Sequence, residues 1–345
     1  MTEEKQSYNL LIASYLEPEH IERIRQVSER LNVIYEPTLI PSPRYAADHT
    51  GNPLNLTPEQ DARWRSLLSQ ADILFDFDYS HRQDLPELAP NVRWIQATSA
   101  GIGQFVKRYG LDQRMPHTLF TTASGVHARP LAEFCLMAMM VHNKGLTRMM
   151  NDQQQKRWER YAGTDLDGRT VALVGLGRIG SEISRLARAM GMRVIGTDLQ
   201  PNSQAVDRFY DLEHLNEMLP EADVVILTVP HTPQTEKMIG AAQFRWMKPG
   251  VFFINIARGN VVDELALIEA LQSGHLSGAA LDVFTQEPLE PESPLWEMPN
   301  VLISPHSAST SDRENERITD LFCDNLSRYL KGETLRNVLN PERYF

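Results

Sequence analysis

Three side chains in the second half of the chain are of the kinds that carbonyl chemistry needs. Arg258 lies in INIARGN, Glu287 in TQEPL and His306 in SPHSA, each at or just past the end of an apolar run of strand character. An arginine fork binds a carboxylate through paired N–H donors, and a histidine gives or takes a proton near neutral pH. A carboxylate beside that histidine orients it and favours its charged form. Singly, each residue has a plainer reading: Arg258 capping the turn that follows, Glu287 a solvated loop charge, His306 a hydrogen-bonded structural histidine. Together, behind a nucleotide fingerprint, they read as a catalytic set.

The fingerprint is GLGRIG, residues 175–180. It follows the apolar run VALV and precedes SEISRLARAMG, which has helical spacing. Gly175 permits a tight turn, Gly177 lets backbone approach a pyrophosphate, and Gly180 lets helix pack against strand. The helix start adds free N–H groups and a positive dipole end for phosphate. Asp198 ends the next strand, 18 residues after Gly180. A carboxylate there accepts hydrogen bonds from the adenosine ribose and repels a 2′-phosphate, which favours NAD over NADP.

The elements that must position these groups alternate between strand and helix, the pattern of parallel sheets with helices on their faces. Strands are expected at 8–15, 32–35, 71–77 and 92–97, with a helix over 18–31, a long loop over 41–58 and a short connecting element at 85–88. A helix is expected over about 127–150. A second alternating series then runs through strands at 171–175, 192–198, 223–230, 251–257, 277–284 and 301–305, with a helix over 263–272. Ligands of such sheets bind beyond the carboxyl ends of the strands. Those ends carry Pro230-His231-Thr232, Ala257-Arg258-Gly259, Asp282, the loop of Glu287, and Ser304-Pro305-His306.

Length and composition bound the answer. With 345 residues, two domains with their own cores are expected, and 42% apolar and 23% charged residues are ordinary globular usage. The formal charge of −11 disfavours nucleic acid and membrane surfaces as partners. The two cysteines, Cys135 and Cys323, belong to no metal-ligand cluster and indicate neither a disulfide framework nor a metal site. The start, MTEEKQSYN, lacks the basic and apolar regions of a signal peptide. The longest apolar stretch, 131–141, contains Glu133 and is about half the length that spans a bilayer. A cytoplasmic protein acting on small molecules is expected.

The segments LVGLGRIG, VPHTPQTEKMIG, MKPGVFFINIARGNVVDELALIEAL, GAALDVFTQEPL and LISPHSA closely resemble the D-isomer-specific 2-hydroxyacid dehydrogenase family, densely over 126–308 and thinly before Trp94. The resemblance implies an α/β fold in which a Rossmann doubly wound NAD-binding domain, 126–305, is inserted in a flavodoxin-like substrate domain made of 1–125 and 306–345. It implies Arg258, Glu287 and His306 as the catalytic set and Asp282 as the contact of the nicotinamide carboxamide. Arg178, Ile179, Pro230, His231, Thr235, Ile256, Ala257 and Ala308 complete the implied cofactor set. The glycine turn SAGIG implies the amides of Ala100, Gly101 and Ile102 as a cradle for the substrate carboxylate, joined by Arg258. Here the chain departs from the family, with Gly103-Gln104-Phe105 where many members carry an acidic residue.

The implied activity is reversible reduction of a 2-oxo acid to the D-2-hydroxy acid with NADH, by a homodimer. Glu287 disfavours the formate dehydrogenase branch, which has glutamine there. About forty residues follow His306, too few for the regulatory domain of many phosphoglycerate dehydrogenases. Glyoxylate, hydroxypyruvate and bulkier 2-oxo acids stay open as substrates, as does the direction of the reaction. An NAD-sensing corepressor-like scaffold of the same fold is the alternative, disfavoured because no basic or disordered tail is present. The dimer arm of the family matches the helix over 127–150, with Leu131, Phe134, Leu136, Met139 and Met140; a methionine-rich helix is by default ordinary core. Tyr79 and His81, past the 71–77 strand, are equally suited to contacting substrate and to covering the sheet edge.

Overall fold

Short apolar runs, buried on both sides, build two sheets in which every strand pairing is parallel. The computed structural model of the protein describes residues 7–202 and 204–340. The outer ends of the expected substrate domain, 1–6 and 341–345, lie outside the described residues, as does residue 203. The chain forms two compact units, Met1–His127 with Thr310–Phe345, and Ala128–Ser309.

The first unit opens with β1 (Tyr8–Ile12), α1 (Pro18–Arg25), β2 (Leu31–Ile34), α2 (Pro58–Gln70) and β3 (Ile73–Phe75). It continues with α3 (Leu85–Leu88), β4 (Trp94–Gln96), α4 (Gly103–Tyr109), α5 (Leu111–Arg114) and β5 (Leu119–Thr121). The second unit contains α6 (Ala128–Lys144), α7 (Leu146–Gln154), β6 (Thr170–Val174), α8 (Arg178–Ala189), β7 (Arg193–Thr197) and β8 (Arg208–Tyr210). After these come α9 (Leu215–Met218), β9 (Val224–Leu227), α10 (Ala241–Trp246), β10 (Val251–Asn255), α11 (Glu264–Gln272), β11 (Leu276–Leu281) and β12 (Val301–Ile303). The last helix, α12 (Glu314–Lys331), belongs to the first unit again.

In the first unit the strand order is β2-β1-β3-β4-β5, the flavodoxin-like arrangement. Successive residues of a strand face opposite ways. Leu10, Ile12, Phe75 and Trp94 therefore pack with Ile21 and Ile24 of α1 and with Ile318, Phe322 and Leu326 of α12. Leu11, Leu74 and Ile95 pack on the other face with Trp64, Leu67 and Leu68 of α2. In the second unit the order is β12-β11-β10-β9-β6-β7-β8, a doubly wound Rossmann sheet whose strand order reverses between β6 and β9.

Several elements differ from the sequence expectation. The first helix ends at Arg25, and Leu31 enters β2 because pairing with Tyr8 of β1 claims its backbone. The loop expected over 41–58 runs into a further helix, α2, beginning at Pro58. Thr57 and Gln60 form a reciprocal capping box, and Pro58 occupies the first turn of α2. The single helix expected over 127–150 is two, α6 and α7, parted at Gly145, whose φ of +68° is left-handed. The strands β5 and β8 lie outside the expected strands, each with only two apolar residues, Leu119-Phe120 and Phe209-Tyr210. Among the described residues no helix is long and apolar enough to cross a membrane.

Candidate active site

The glycine loop joins β6 to α8 at the reversal of the second sheet, where ligands of such sheets bind. Gly175 takes φ +107°, and a Cβ on Gly180 would lie 2.2 Å from the Gly175 carbonyl oxygen, so helix and strand meet only through glycine. A Cβ on Gly177 would meet nothing within 4 Å. The fold itself therefore leaves open space over Gly177, which fits a pyrophosphate laid on the backbone. Thr228, past β9, donates its hydroxyl to the Gly175 carbonyl at 2.9 Å and ties the two strand ends together. The Asp198 carboxylate accepts from the amides of Leu176 and Leu199, each at 2.6 Å, and so lies against the loop. Arg178 and Ile179 open α8, the former exposed and the latter half-buried.

The remaining expected groups of this unit line the same carboxyl edge. Past β9, the Thr235 hydroxyl donates to the Pro230 carbonyl at 2.7 Å, and His231 pairs through Nε2 with Glu236. Past β10, Ile256 and Ala257 are buried. Buried Asn255 braces the turn they lead into: its Oδ1 accepts from the Ala257 amide at 3.1 Å and its Nδ2 donates to the Arg258 carbonyl at 3.2 Å. A Cβ on Gly259 would lie 1.9 Å from the Phe284 carbonyl carbon, so only glycine lets the turn of Arg258 touch the loop of Glu287.

That contact brings the three catalytic candidates into one electrostatic neighbourhood. Glu287 Oε2 lies 2.7 Å from His306 Nδ1, and Oε1 accepts from the Phe284 amide at 3.0 Å. Burial alone would raise the Glu287 carboxyl. The hydrogen bonds from His306 and Phe284, with the charges of His306 and Arg258, hold it below its ordinary value, so it stays ionised. Burial lowers the Arg258 guanidinium, and the charges of Glu287 and Asp282 oppose that shift. An arginine starts so high that it remains a cation. His306 Nε2 makes no hydrogen bond among the described residues.

His306 itself is held at φ +54°, a left-handed backbone that a non-glycine residue keeps only under restraint. The restraint is Asp282, 2% exposed. Its Oδ1 accepts from the Ser304 hydroxyl at 2.6 Å and from the amides of Ser307 and Ala308 at 2.9 Å each. Its carbonyl accepts from the His306 amide at 3.0 Å. Asp282 Oδ2 accepts nothing among the described residues, which leaves an oxygen for the amide of a nicotinamide. Gly259 and Ser304 stand among the strand-end groups read from the sequence, without a role of their own there; Asn255, which NIARG contains, stands outside that reading.

The other expected residues belong to the first unit. Ala100, Gly101 and Ile102 form the turn ahead of α4; Ile102 is buried, and the Gly101 amide donates to Ser99 Oγ at 3.3 Å. The Tyr79 hydroxyl donates to Asp76 Oδ1 at 3.3 Å. Both ring nitrogens of His81 are taken: Nδ1 lies 2.8 Å from Asp78 and Nε2 2.9 Å from Asp61 of α2. His81 is therefore a latch between α2 and the loop past β3, the structural member of the two readings. Among the described residues no group of His, Cys, Asp and Glu could hold a metal ion.

Residues 136–308 match the family model described as D-isomer specific 2-hydroxyacid dehydrogenase, NAD binding domain. The chain is 35% identical to a glyoxylate reductase of Korarchaeum cryptofilum over 264 residues, 74% of this chain and 78% of that protein. The chain belongs to the D-isomer specific 2-hydroxyacid dehydrogenase family. A glyoxylate/hydroxypyruvate reductase B of Yersinia pestis is 33% identical over 295 residues, 83% of this chain and 89% of that protein. Among solved structures, a D-isomer specific 2-hydroxyacid dehydrogenase from Xanthobacter autotrophicus in complex with NADPH and MES aligns with a TM-score of 0.78 and 26% identity. That alignment covers 98% of this chain and 100% of the other. A nicotinamide dinucleotide is the cofactor of this dehydrogenase fold.

The His81 latch gives a stability prediction with a definite sign. The hydrogen bond to Asp78 raises the His81 pKa above the ordinary 6.5, against the opposing effect of burial. Its stabilisation is therefore complete below the unfolded-state pKa and is lost as pH rises through the folded value. His81→Leu should lower the melting temperature at acidic pH, and the gap to the wild type should shrink as pH increases. A gap independent of pH in thermal melts would show the latch to be uncharged.

Proposed function

We propose that this chain reduces small 2-oxo acids, glyoxylate and hydroxypyruvate foremost, to D-2-hydroxy acids, with NADH as donor and as a cytoplasmic homodimer. The observation that carries the reading is the His306–Glu287 pair at 2.7 Å in the same electrostatic neighbourhood as the Arg258 cation. The printed activities of the Korarchaeum and Yersinia relatives support the choice of substrates.

The residues present suit the dinucleotide. The amides of the 175–180 loop and the start of α8 would hold its pyrophosphate, with Arg178 and Ile179 beside them, and Asp198 would hold the adenosine ribose. Pro230, His231, Thr235, Ile256, Ala257 and Ala308 would line its path, and Asp282 Oδ2 would accept from the carboxamide. When bound, the reduced nicotinamide supplies the hydride that the C2 carbonyl carbon receives. Arg258 binds the substrate carboxylate and draws electron density toward the carbonyl oxygen, stabilising the charge that grows there. Glu287, ionised and on Nδ1, keeps the proton on that nitrogen and turns Nε2 outward. His306 Nε2–H then protonates the oxygen; in the oxidising direction the same nitrogen takes the proton back. In the first unit, the amides of Ala100, Gly101 and Ile102 are assigned to carboxylate binding.

Four measurements test this reading. His306→Ala and Arg258→Ala should each lower kcat/KM on the best 2-oxo acid by about a hundredfold or more, the usual weight of an acid catalyst. Dinucleotide fluorescence titration should show near-normal binding in both, and near-wild-type turnover in either would remove these assignments. Because Asp198 lies against the glycine loop, kcat/KM should favour NADH over NADPH on one substrate; the reverse preference would refute the ribose argument. Of the residues expected in a dimer arm, Leu131 and Met139 are buried in their own unit and Phe134 and Leu136 pack against its core. Met140 is exposed, together with Met137, Leu146, Met149, Met150 and Trp158. Such a group of exposed apolar side chains suits a second copy of the chain. Light scattering at micromolar concentration should give the mass of a dimer, and a monomer would refute that assignment.

A further inference from the structure

The sheet of the first unit has a binding edge of its own. Its order reverses between β1 and β3, and the crevice of an open parallel sheet lies beyond the carboxyl ends of the strands flanking such a reversal. Those ends carry Ser14 and Asp76, 1% and 0% exposed. Asp76 takes a left-handed φ of +68°. Its Oδ2 accepts from the Thr98 hydroxyl at 2.9 Å and its Oδ1 from the Tyr79 hydroxyl at 3.3 Å. Thr98 lies two residues before Ala100, so the cluster adjoins in sequence the assigned carboxylate cradle of Ala100, Gly101 and Ile102.

A third member arrives from the long loop after β2. Asp48 gathers that loop around itself, accepting from the amides of Arg44, Thr50 and Gly51 and from the Arg44 guanidinium. The loop thereby presents His49 inward. Its Nδ1 lies 3.4 Å from Ser14 Oγ, while its Nε2 is buried with no hydrogen-bond partner among the described residues. Burial depresses the protonation of this ring, and the nearby charges of Asp76 and Glu314 only partly oppose that.

A neutral imidazole that faces a hydroxyl through Nδ1 presents a donor at Nε2 in one tautomer and an acceptor in the other. A ligand hydroxyl satisfies either, a methyl group satisfies neither, and a second carboxylate would be placed beside Asp76, where burial already disfavours the ionised form of a carboxyl. We infer that Ser14, His49 and Asp76 form a polar subsite at the switch point of the first unit, one that takes the C3 hydroxyl of a hydroxylated 2-oxo acid. The enzyme then selects such acids over their plain alkyl counterparts. The inference rests on the 2-oxo acid reading above.

Hydroxypyruvate and pyruvate differ only in that hydroxyl, so the ratio of their kcat/KM values isolates it. With the full-length protein and its dinucleotide, the wild type should favour hydroxypyruvate by about tenfold or more, because a site that hydrogen-bonds a hydroxyl disfavours the analogue lacking it. His49→Leu should bring the ratio close to one, and His49→Gln, whose amide can donate or accept, should retain a preference. Ser14→Ala, a smaller change that removes the partner of Nδ1 and so acts on Nε2 through the ring's tautomer and orientation, should lower the ratio and serves if His49→Leu does not fold. A wild-type ratio near one, or variants in which both substrates fall together at a constant ratio, would overturn the subsite while leaving the reductase reading intact. A wild type that reduces neither of these nor glyoxylate would overturn both.

Discussion

The carboxylate of Asp282 is buried at the end of β11, and its Oδ1 accepts from one hydroxyl and two amides of residues 304–308. A buried carboxylate must be hydrogen-bonded, since leaving such a charge uncompensated costs roughly 3–5 kcal/mol. The demand fixes the turn after β12 in the one shape that gives His306 a left-handed backbone. Glu287 reaches His306 from the loop after β11, and that loop reaches Arg258 through the absent side chain of Gly259. One buried charge and one glycine thus set the geometry on which the proposed proton transfer depends.

Parallel pairing explains why these groups share an edge. Every crossover returns the chain to the same end of the sheet, so the residues that follow β6, β9, β10, β11 and β12 converge although more than a hundred positions separate Gly175 from His306. The formal charge of −11 sets the chain's overall field against anionic ligands. An anionic ligand must be met by local positive potential, which here comes from Arg258 and the amide-rich start of α8. The first unit uses the same edge differently, gathering Ser14, His49 and Asp76 where its own sheet reverses.

Much of this was legible in the residues. The glycine loop, Asp198 and the strand-end Arg258, Glu287 and His306 could be read because each depends on local order: an apolar run, then a polar group at its end. Helix α2 was legible too, through Thr57, Pro58 and Gln60, but the loop-like composition before it concealed the signal. Strands β5 and β8 were not, since each offers only two apolar residues, Leu119-Phe120 and Phe209-Tyr210, whereas the equally short β3, β4 and β12 sit in longer apolar-rich runs. The break at Gly145 was open to notice, but the continuous apolar spacing on either side argued for one helix. Whether Met139 or Met140 faced the core depended on what α6 packs against.

The sequence by itself determined the reaction class, the nucleotide fingerprint and the identities of the side chains suited to hydride and proton transfer. These follow from residue type and short spacing. The tertiary structure alone decided which groups support them. Asn255 bracing Arg258, Ser304 joining Asp282 beneath His306, and His81 serving as a latch with both nitrogens engaged are contacts between segments distant in sequence or between backbone and side chain. Burial decided the rest. A serine, a histidine and an aspartate have no special chemistry until folding removes them from water and leaves one nitrogen without a partner.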